Sequence, residues 1–410
     1  MSQQGPIIVV SGGESALPTA ALRETQIFPL VDATWSDAAE TVARLQPAAV
    51  MATHDNPAAL TALARQIEAH QPYAPLIVLD PAEPLPHNAL PFTGLSGNAA
   101  RLAARLKAAL RVRALHATVL CRLGPTHASS AHLPPTDPLQ DATVLLIGRG
   151  ASYPALSVAF GERAGVVGAL SIEAAAKHLN SRDLDGVVIG DGFSSRVVEA
   201  FVQVLSEDSR FRHLPVILTG DTTAMQNHDL PNLEPASGTA AEIVTRAVPL
   251  IRQNAFALRL HRAMQSLDAG GLLDPRTGLL TQDAFARDFA NAVIAAQTRG
   301  AALSAVRLGL SSSAPRARLD AARILSRLMR RMDFATLHND ASIVIAFPET
   351  DQRTTRTIAR RLASVLKQTI ISSRKDGRFD PEVTFATLQP GDNMETIIKR
   401  LRSSDHRAAS

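Results

Sequence analysis

The chain has a single cysteine, Cys121, among 410 residues. A disulfide within the chain is therefore excluded, and so is a thiolate metal cluster. Cys121 sits in the apolar run Val119-Leu120-Cys121, which predicts a buried thiol. Aromatic residues make up 4% of the chain, too few for a platform that stacks single-stranded nucleic acid. No apolar run reaches the roughly 18 residues that a membrane-spanning helix needs. The first residues, Met1-Ser2-Gln3-Gln4-Gly5, lack the basic start and apolar centre of a secretory signal, so a cytoplasmic chain is expected. A Walker loop, a His-Glu-x-x-His pair and a Ser/His/Asp pattern are also missing. Apolar residues account for 46%, enough for real cores, and the length implies two or three domains. The net charge is +4, with arginines spread over helices rather than clustered, which predicts a solvated surface compatible with a small anionic ligand.

Short apolar runs alternate with helical stretches from the start. Strands are predicted over Pro6–Val10, Phe28–Val31, Ala48–Ala52 and Pro75–Leu79, with helices over Ala38–Leu45, Pro57–Ala69 and Gly97–Ala114. Residues Leu123–Gln140 are rich in Pro, Ser and Thr and read as a linker. The alternation then restarts, with strands at Thr143–Ile147, Val166–Leu170, Gly186–Asp191 and Pro215–Gly220. Helices are predicted at Ile172–Leu179, Arg196–Leu205 and Ala240–Met264, the last with Pro249 inside it. Strands alternating with helices imply parallel sheets covered on both faces, and the repeated order suggests an internal duplication.

Both halves resemble the receiver domain of two-component response regulators, most closely in Arg212-His213-Leu214-Pro215-Val216-Ile217-Leu218-Thr219. Receiver chemistry needs a phospho-accepting Asp after the third strand, an acidic pair to hold a divalent cation after the first, and a Lys after the fifth. The first half ends its first strand in Ser11-Gly12 and its third in Thr53-His54, with no acidic pair. The second half has Gly148-Arg149 where the pair belongs, and Leu230–Pro235 in place of the Lys. Its one candidate phospho-acceptor is Asp191, although the count from Asp185 puts the acceptor slot on Gly190. The alternative role for Asp191 is to cap a turn.

The C-terminal part resembles the GGDEF domain of diguanylate cyclases over about residues 272–405. Asp274-Pro275-Arg276-Thr277-Gly278-Leu279, ending in Phe285, resembles the family's entry motif. Arg330-x-x-Asp333, five further residues, Asn339-Asp340-Ala341-Ser342-Ile343 and the apolar run to Pro348 keep the frame of its central hairpin. The catalytic signature is gone. Ala341 and Ser342 stand where the resemblance asks for carboxylates, Asn339 and Asp340 stand for the two glycines, and the first strand (Val306-Arg307-Leu308-Gly309-Leu310-Ser311) carries no carboxylate. Two cations and a triphosphate need more than Asp340, so catalysis is not expected and no catalytic or metal residue is assigned. His338 reads as a surface residue of the turn.

In the family the Arg-x-x-Asp pair forms an inhibitory site for cyclic di-GMP, joined by an Arg on the helix after the hairpin; the spacing puts that Arg at Arg361. An Arg fork matches guanine O6 and N7, and a carboxylate accepts from N1–H and the exocyclic amine. An exposed Arg–Asp pair three apart is also a common helix contact.

The whole resembles response regulators of the PleD/PopA type. The expected domains are a degenerate receiver (1–122), a linker (123–140), a second degenerate receiver (141–270) and a degenerate GGDEF domain (271–410). The expected fold class is α/β: two doubly wound receiver-like domains, then an α/β domain with a central, mostly antiparallel sheet. The resemblance implies a cell-cycle or signalling adaptor, a pseudoenzyme that binds cyclic di-GMP at Arg330, Asp333 and Arg361, moves to a cell pole and delivers regulators to the ClpXP protease. It implies no other cofactor. Protein partners and a homodimer fit this reading; nucleic acid and membrane insertion do not. Phosphorylation control at Asp191 and a ligand-free interaction scaffold stay open.

Overall fold

The computed structural model of the chain describes residues 5–12, 22, 28–94, 99–123, 136–220, 230–310, 314–330, 332–369 and 380–403. These residues fall into two compact units: 5–123 with 136–176 and 184–260, and 177–183 with 261–403.

The first unit holds two parallel sheets. Strands β1 (Ile7–Val10), β2 (Leu30–Ala33), β3 (Ala49–Thr53), β4 (Leu76–Leu79) and β5 (Ala89–Phe92) lie in the order β2-β1-β3-β4-β5. Helices α1 (Ala38–Leu45), α2 (Pro57–Glu68) and α3 (Ala99–Leu123) cover them. Strands β6 (Thr143–Ile147), β7 (Gly165–Ala169), β8 (Gly186–Ile189), β9 (Val216–Leu218) and β10 (Leu233–Pro235) repeat the pattern as β10-β9-β8-β6-β7. Their helices are α4 (Tyr153–Gly161), α5 (Ile172–Ser181), α6 (Ser195–Glu207) and α7 (Ala240–Asp268). Both sheets have the flavodoxin-like doubly wound order. Their central strands (Ile-Ile-Val-Val, Thr-Val-Leu-Leu-Ile, Gly-Val-Val-Ile) are buried throughout, as a parallel sheet covered on both faces requires. Local signals also agree: Asn56 accepts from Ala59 N at 3.1 Å and Pro57 opens α2, a standard helix start.

The two sheets share one core. Leu102, Leu106 and Leu110 of α3 belong to the same buried cluster as Ile243, Ala247 and Leu250 of α7. A buried charge cluster accompanies it. Glu234 on β10, fully buried, accepts from Thr93 N (3.0 Å), Thr93 Oγ1 (2.6 Å) and Arg105 Nη2 (3.1 Å). Arg105, also fully buried, donates further to the carbonyls of Pro231, Pro91 and Leu233. Arg101 donates to the carbonyls of Thr93 (3.1 Å) and Leu233 (2.6 Å). Burial pushes the Arg105 guanidinium down to about 10, although Glu234 opposes the shift.

Several elements differ from the sequence reading. Strands β5 and β10 and helix α4 were not expected. Both strands are short and contain Pro, and β10 carries a Glu, so each reads as a loop until its neighbours are known. Cys121 is exposed, not buried. The last turns of α3 turn His116, Val119 and Leu123 inward, and a residue two positions from Val119 is rotated about 200° away. Helix α7 continues through Pro249. Of the Pro/Ser/Thr-rich stretch, 124–135 lies outside the described residues, and Pro138–Asp141 forms a 3₁₀ turn.

The second unit is built on an antiparallel sheet of β11 (Leu303–Gly309), β12 (Phe334–Leu337), β13 (Ser342–Pro348) and β14 (Glu382–Thr387), in the order β12-β13-β11-β14. One face packs on α9 (Pro315–Leu328) and α10 (Gln352–Thr369), and the other on α8 (Gln282–Arg299) and α11 (Met394–Ser403). Helices α8 and α11 were not expected. The fold class is α/β, with two doubly wound parallel sheets followed by an antiparallel one, as expected.

Candidate functional site

The entry segment sets the position of the hairpin. Gly278 has φ +75°, and Asp274 accepts from Gly278 N (2.8 Å) through its carbonyl and from Arg276 N (2.7 Å) through its carboxylate. This tight turn delivers Leu280, whose N–H donates to Ala335 O of β12 at 2.9 Å. Thr281 then caps α8 by accepting from Ala284 N at 3.4 Å. Arg323 of α9 donates to Arg276 O at 2.9 Å, tying the same turn to the helix that precedes the hairpin.

Helix α9 ends at Leu328, and Arg330 and Asp333 lie between it and β12. Asp333 N donates to Arg330 O at 3.0 Å, and Asp333 Oδ2 accepts from Arg330 N at 3.2 Å. The aspartate is buried, at 9% exposure. Burial pushes its carboxyl above the usual range, against the pull of the Arg330 N–H and guanidinium. Among the described residues, Asp333 Oδ1 has no hydrogen-bond partner and the Arg330 guanidinium, which is exposed, has no ion pair. Arg361 is exposed on α10, which shares a core with α9 through Ile324, Leu325, Ala359 and Leu362. Arg330 and Asp333 thus meet in one turn, and Arg361 stands on the neighbouring helix.

The hairpin tip has a different chemistry. Ala341 adopts φ +60° and donates to His338 O at 3.1 Å. Asp340 Oδ1 accepts from Ser342 N (3.0 Å) and Ser342 Oγ (2.6 Å). Its Oδ2 lies 3.7 Å from Arg307 Nη2 of β11. Asn339 accepts from Gln282 Nε2 at 3.0 Å. His338 is half-buried, and burial pushes its imidazole down. The tip is therefore closed by its own hydrogen bonds, with a guanidinium beside its one carboxylate. Residues 311–313, in the loop between β11 and α9, lie outside the described residues.

Asp191 sits at the C-terminal edge of the second sheet. It accepts from Ser152 Oγ, and a Cβ on Gly150 would collide with its carboxylate. The Ser152 hydroxyl holds its carboxyl below the usual range. Arg149 donates from Nε to Gly192 O at 2.8 Å and lies over the Phe193 ring. Thr219 donates to Ile189 O at 3.2 Å. The first sheet has a similar staple that sequence reasoning missed. Asp55 accepts from Thr53 Oγ1 (2.7 Å), Trp35 Nε1 (2.6 Å) and Gly12 N (2.8 Å). The signal for it was an aspartate just past the apolar run of β3.

No protein-family model matches the chain, and no curated protein matches it. Solved structures similar to part of it are GGDEF domains. The coiled coil and GGDEF domain of DgcB from Caulobacter crescentus, in complex with c-di-GMP, is 17% identical; the match covers 37% of this chain and 88% of that one, with a TM-score of 0.31. The FimX GGDEF domain from Pseudomonas aeruginosa is 16% identical over 34% of this chain and 93% of that one, with a TM-score of 0.29. A microbial GGDEF domain described with bis-(3′,5′)-cyclic di-GMP is 15% identical over 34% of this chain and 92% of that one, also with a TM-score of 0.29. Likeness at this level bears on neither activity nor ligand.

Proposed function

We propose that the second unit binds cyclic di-GMP through Arg330, Asp333 and Arg361 and does not synthesise it. The observation that carries this reading is Asp333, a buried residue with one carboxylate oxygen unused among the described residues, three positions after Arg330, which is exposed and has no ion pair among them. A largely buried carboxylate with its outer oxygen open is suited to accept a guanine N1–H and amine, while the Arg fork takes O6 and N7. Arg361 supplies a second cation for the phosphodiester or the other base. At the hairpin tip, Arg307 beside Asp340 opposes a divalent cation, and Ala341 and Ser342 offer no further carboxylate. An effector of the PopA kind, recruited to a pole and passing regulators to ClpXP, is the wider role we propose, and it rests on the sequence resemblance alone.

The test is a calorimetric titration of the full chain with cyclic di-GMP, beside Arg330→Ala. Saturable binding that the variant loses is expected. No heat with the unaltered chain, or equal binding by the variant, refutes the reading.

A further inference from the structure

The three sheets have six edges, and five of them are protected. Strand β2 carries Asp32 and β14 carries Glu382, charges that discourage edge pairing. Just past β5, Thr93 N–H donates to the Glu234 side chain of β10, and Arg105 donates to Pro91 O of β5 and Leu233 O of β10, so these two edges face each other across one guanidinium. Strand β12 is bridged by Leu280. The sixth edge, β7 (Gly-Val-Val-Gly-Ala), has no charge, no Pro and no partner on its outer side among the described residues. Gly165 N donates to Ala142 O and Gly148 N to Ala169 O, which aims the odd-numbered residues at β6. In a parallel ladder the N–H and C=O of Val166 and Gly168 then point away from the sheet.

The helix beside this edge is equally unprotected. Helix α4, Tyr-Pro-Ala-Leu-Ser-Val-Ala-Phe-Gly, has no charged residue. Leu156 and Phe160 enter the core with Val166 packed against them, which places α4 on the even-numbered side of β7. Its other side leaves Pro154, Ala155, Val158 and Gly161 exposed. Val158 is 66% exposed and Leu170, just past β7, is 61% exposed. A surface helix without charge next to an open, uncharged strand is a contiguous apolar strip of the kind that marks an interface.

We propose that this edge pairs with β7 of a second copy of the chain, antiparallel about a two-fold axis at Val167. Val166 would lie opposite Gly168 of the other copy, and each pair would exchange both backbone bonds, because both residues present N–H and C=O outward. The same antiparallel arrangement brings Glu162 and Arg163, exposed just before β7, toward Glu173 of the other copy, exposed in the first turn of α5. Each end of the paired strands then sets Arg163, with Glu162 beside it, near a carboxylate of the other copy. The small residues of α4 let the two copies of that helix approach over the axis, covering Val158 and Leu170. An isologous contact asks only that a surface match itself, and this one is uncharged along the strand and carries Arg163 and Glu173 at opposite ends.

Sedimentation of the full chain over a range of concentrations tests the pairing, beside Val158→Lys, Leu170→Lys and, as a control on another exposed valine, Val204→Lys of α6. A reversible dimer is expected, weakened at least tenfold by Val158→Lys and by Leu170→Lys and unchanged by Val204→Lys. All three residues are exposed, so far-UV circular dichroism should match across the set. A monomer at every concentration overturns the proposal. So does a dimer indifferent to Val158→Lys, or one that Val204→Lys alone disrupts.

Discussion

Replacing Glu234 with Leu should destabilise both parallel sheets together. Glu234 is fully buried, and its loss leaves Arg105, also fully buried, with a charge matched only by the carbonyls of Pro231, Pro91 and Leu233. Breaking a buried pair from one side costs about 3–5 kcal/mol. Thr93 also loses the acceptor for its N–H and hydroxyl, but it is only part-buried and water replaces much of that loss, adding about 1 kcal/mol. The expected total is therefore about 4–6 kcal/mol. The assay is denaturant unfolding followed by tryptophan fluorescence. The single tryptophan, Trp35, lies by the first sheet and donates to Asp55, whereas Glu234 is in the second. If the shared core makes one cooperative unit, the Trp35 transition moves to lower denaturant by the full amount. The double variant Arg105→Leu/Glu234→Leu should lose less than the two single losses added, since the charge on Arg105 goes with its partner and only Arg101, 3.8 Å from Glu234, is left without its carboxylate. A Trp35 transition that stays in place while the circular dichroism shifts would show two halves unfolding separately, and would refute the reasoning.

Other outcomes follow from single contacts. Asp333 has a raised pKa, so its contribution is fully present below the unfolded value near 3.8 and is lost as pH rises through the folded value. Asp333→Asn should therefore be at least as stable as the parent at pH 7 while losing cyclic di-GMP, with the stability difference closing in acid; a large loss of stability at pH 7 would make the residue structural. Thr281→Ala should cost about 1 kcal/mol by removing the cap of α8, read in thermal unfolding. Asp191 is held by Ser152, so Asp191→Asn should lower the stability of the first unit. If acetyl phosphate labels the parent chain and not this variant, the phosphorylation reading holds and the capping one fails.

Much of this architecture was legible in local pattern. Apolar runs such as Thr143–Ile147 and Ser342–Pro348 are strands because their residues leave no polar face, and the distance from Arg330-x-x-Asp333 to the tip at Asn339-Asp340 sets the hairpin by itself. Asn56-Pro57 opens the expected helix α2 through an interaction that spans only three residues, whereas α8, capped in the same way by Thr281, was not expected. What tertiary structure alone decided depends on residues far apart in the chain. The pairing of Arg105 with Glu234 joins positions 129 apart, and nothing near either residue marks it as buried. Strand β10, with Glu and Pro in three residues, becomes a strand because β9 and that arginine satisfy it. Cys121 is exposed because the helix end turns that face outward, which an apolar run cannot specify without its neighbours. The charge on Arg330, Asp333 and Arg361 is written in the sequence; the burial of Asp333 and the freedom of its second oxygen come from how α9 meets β12.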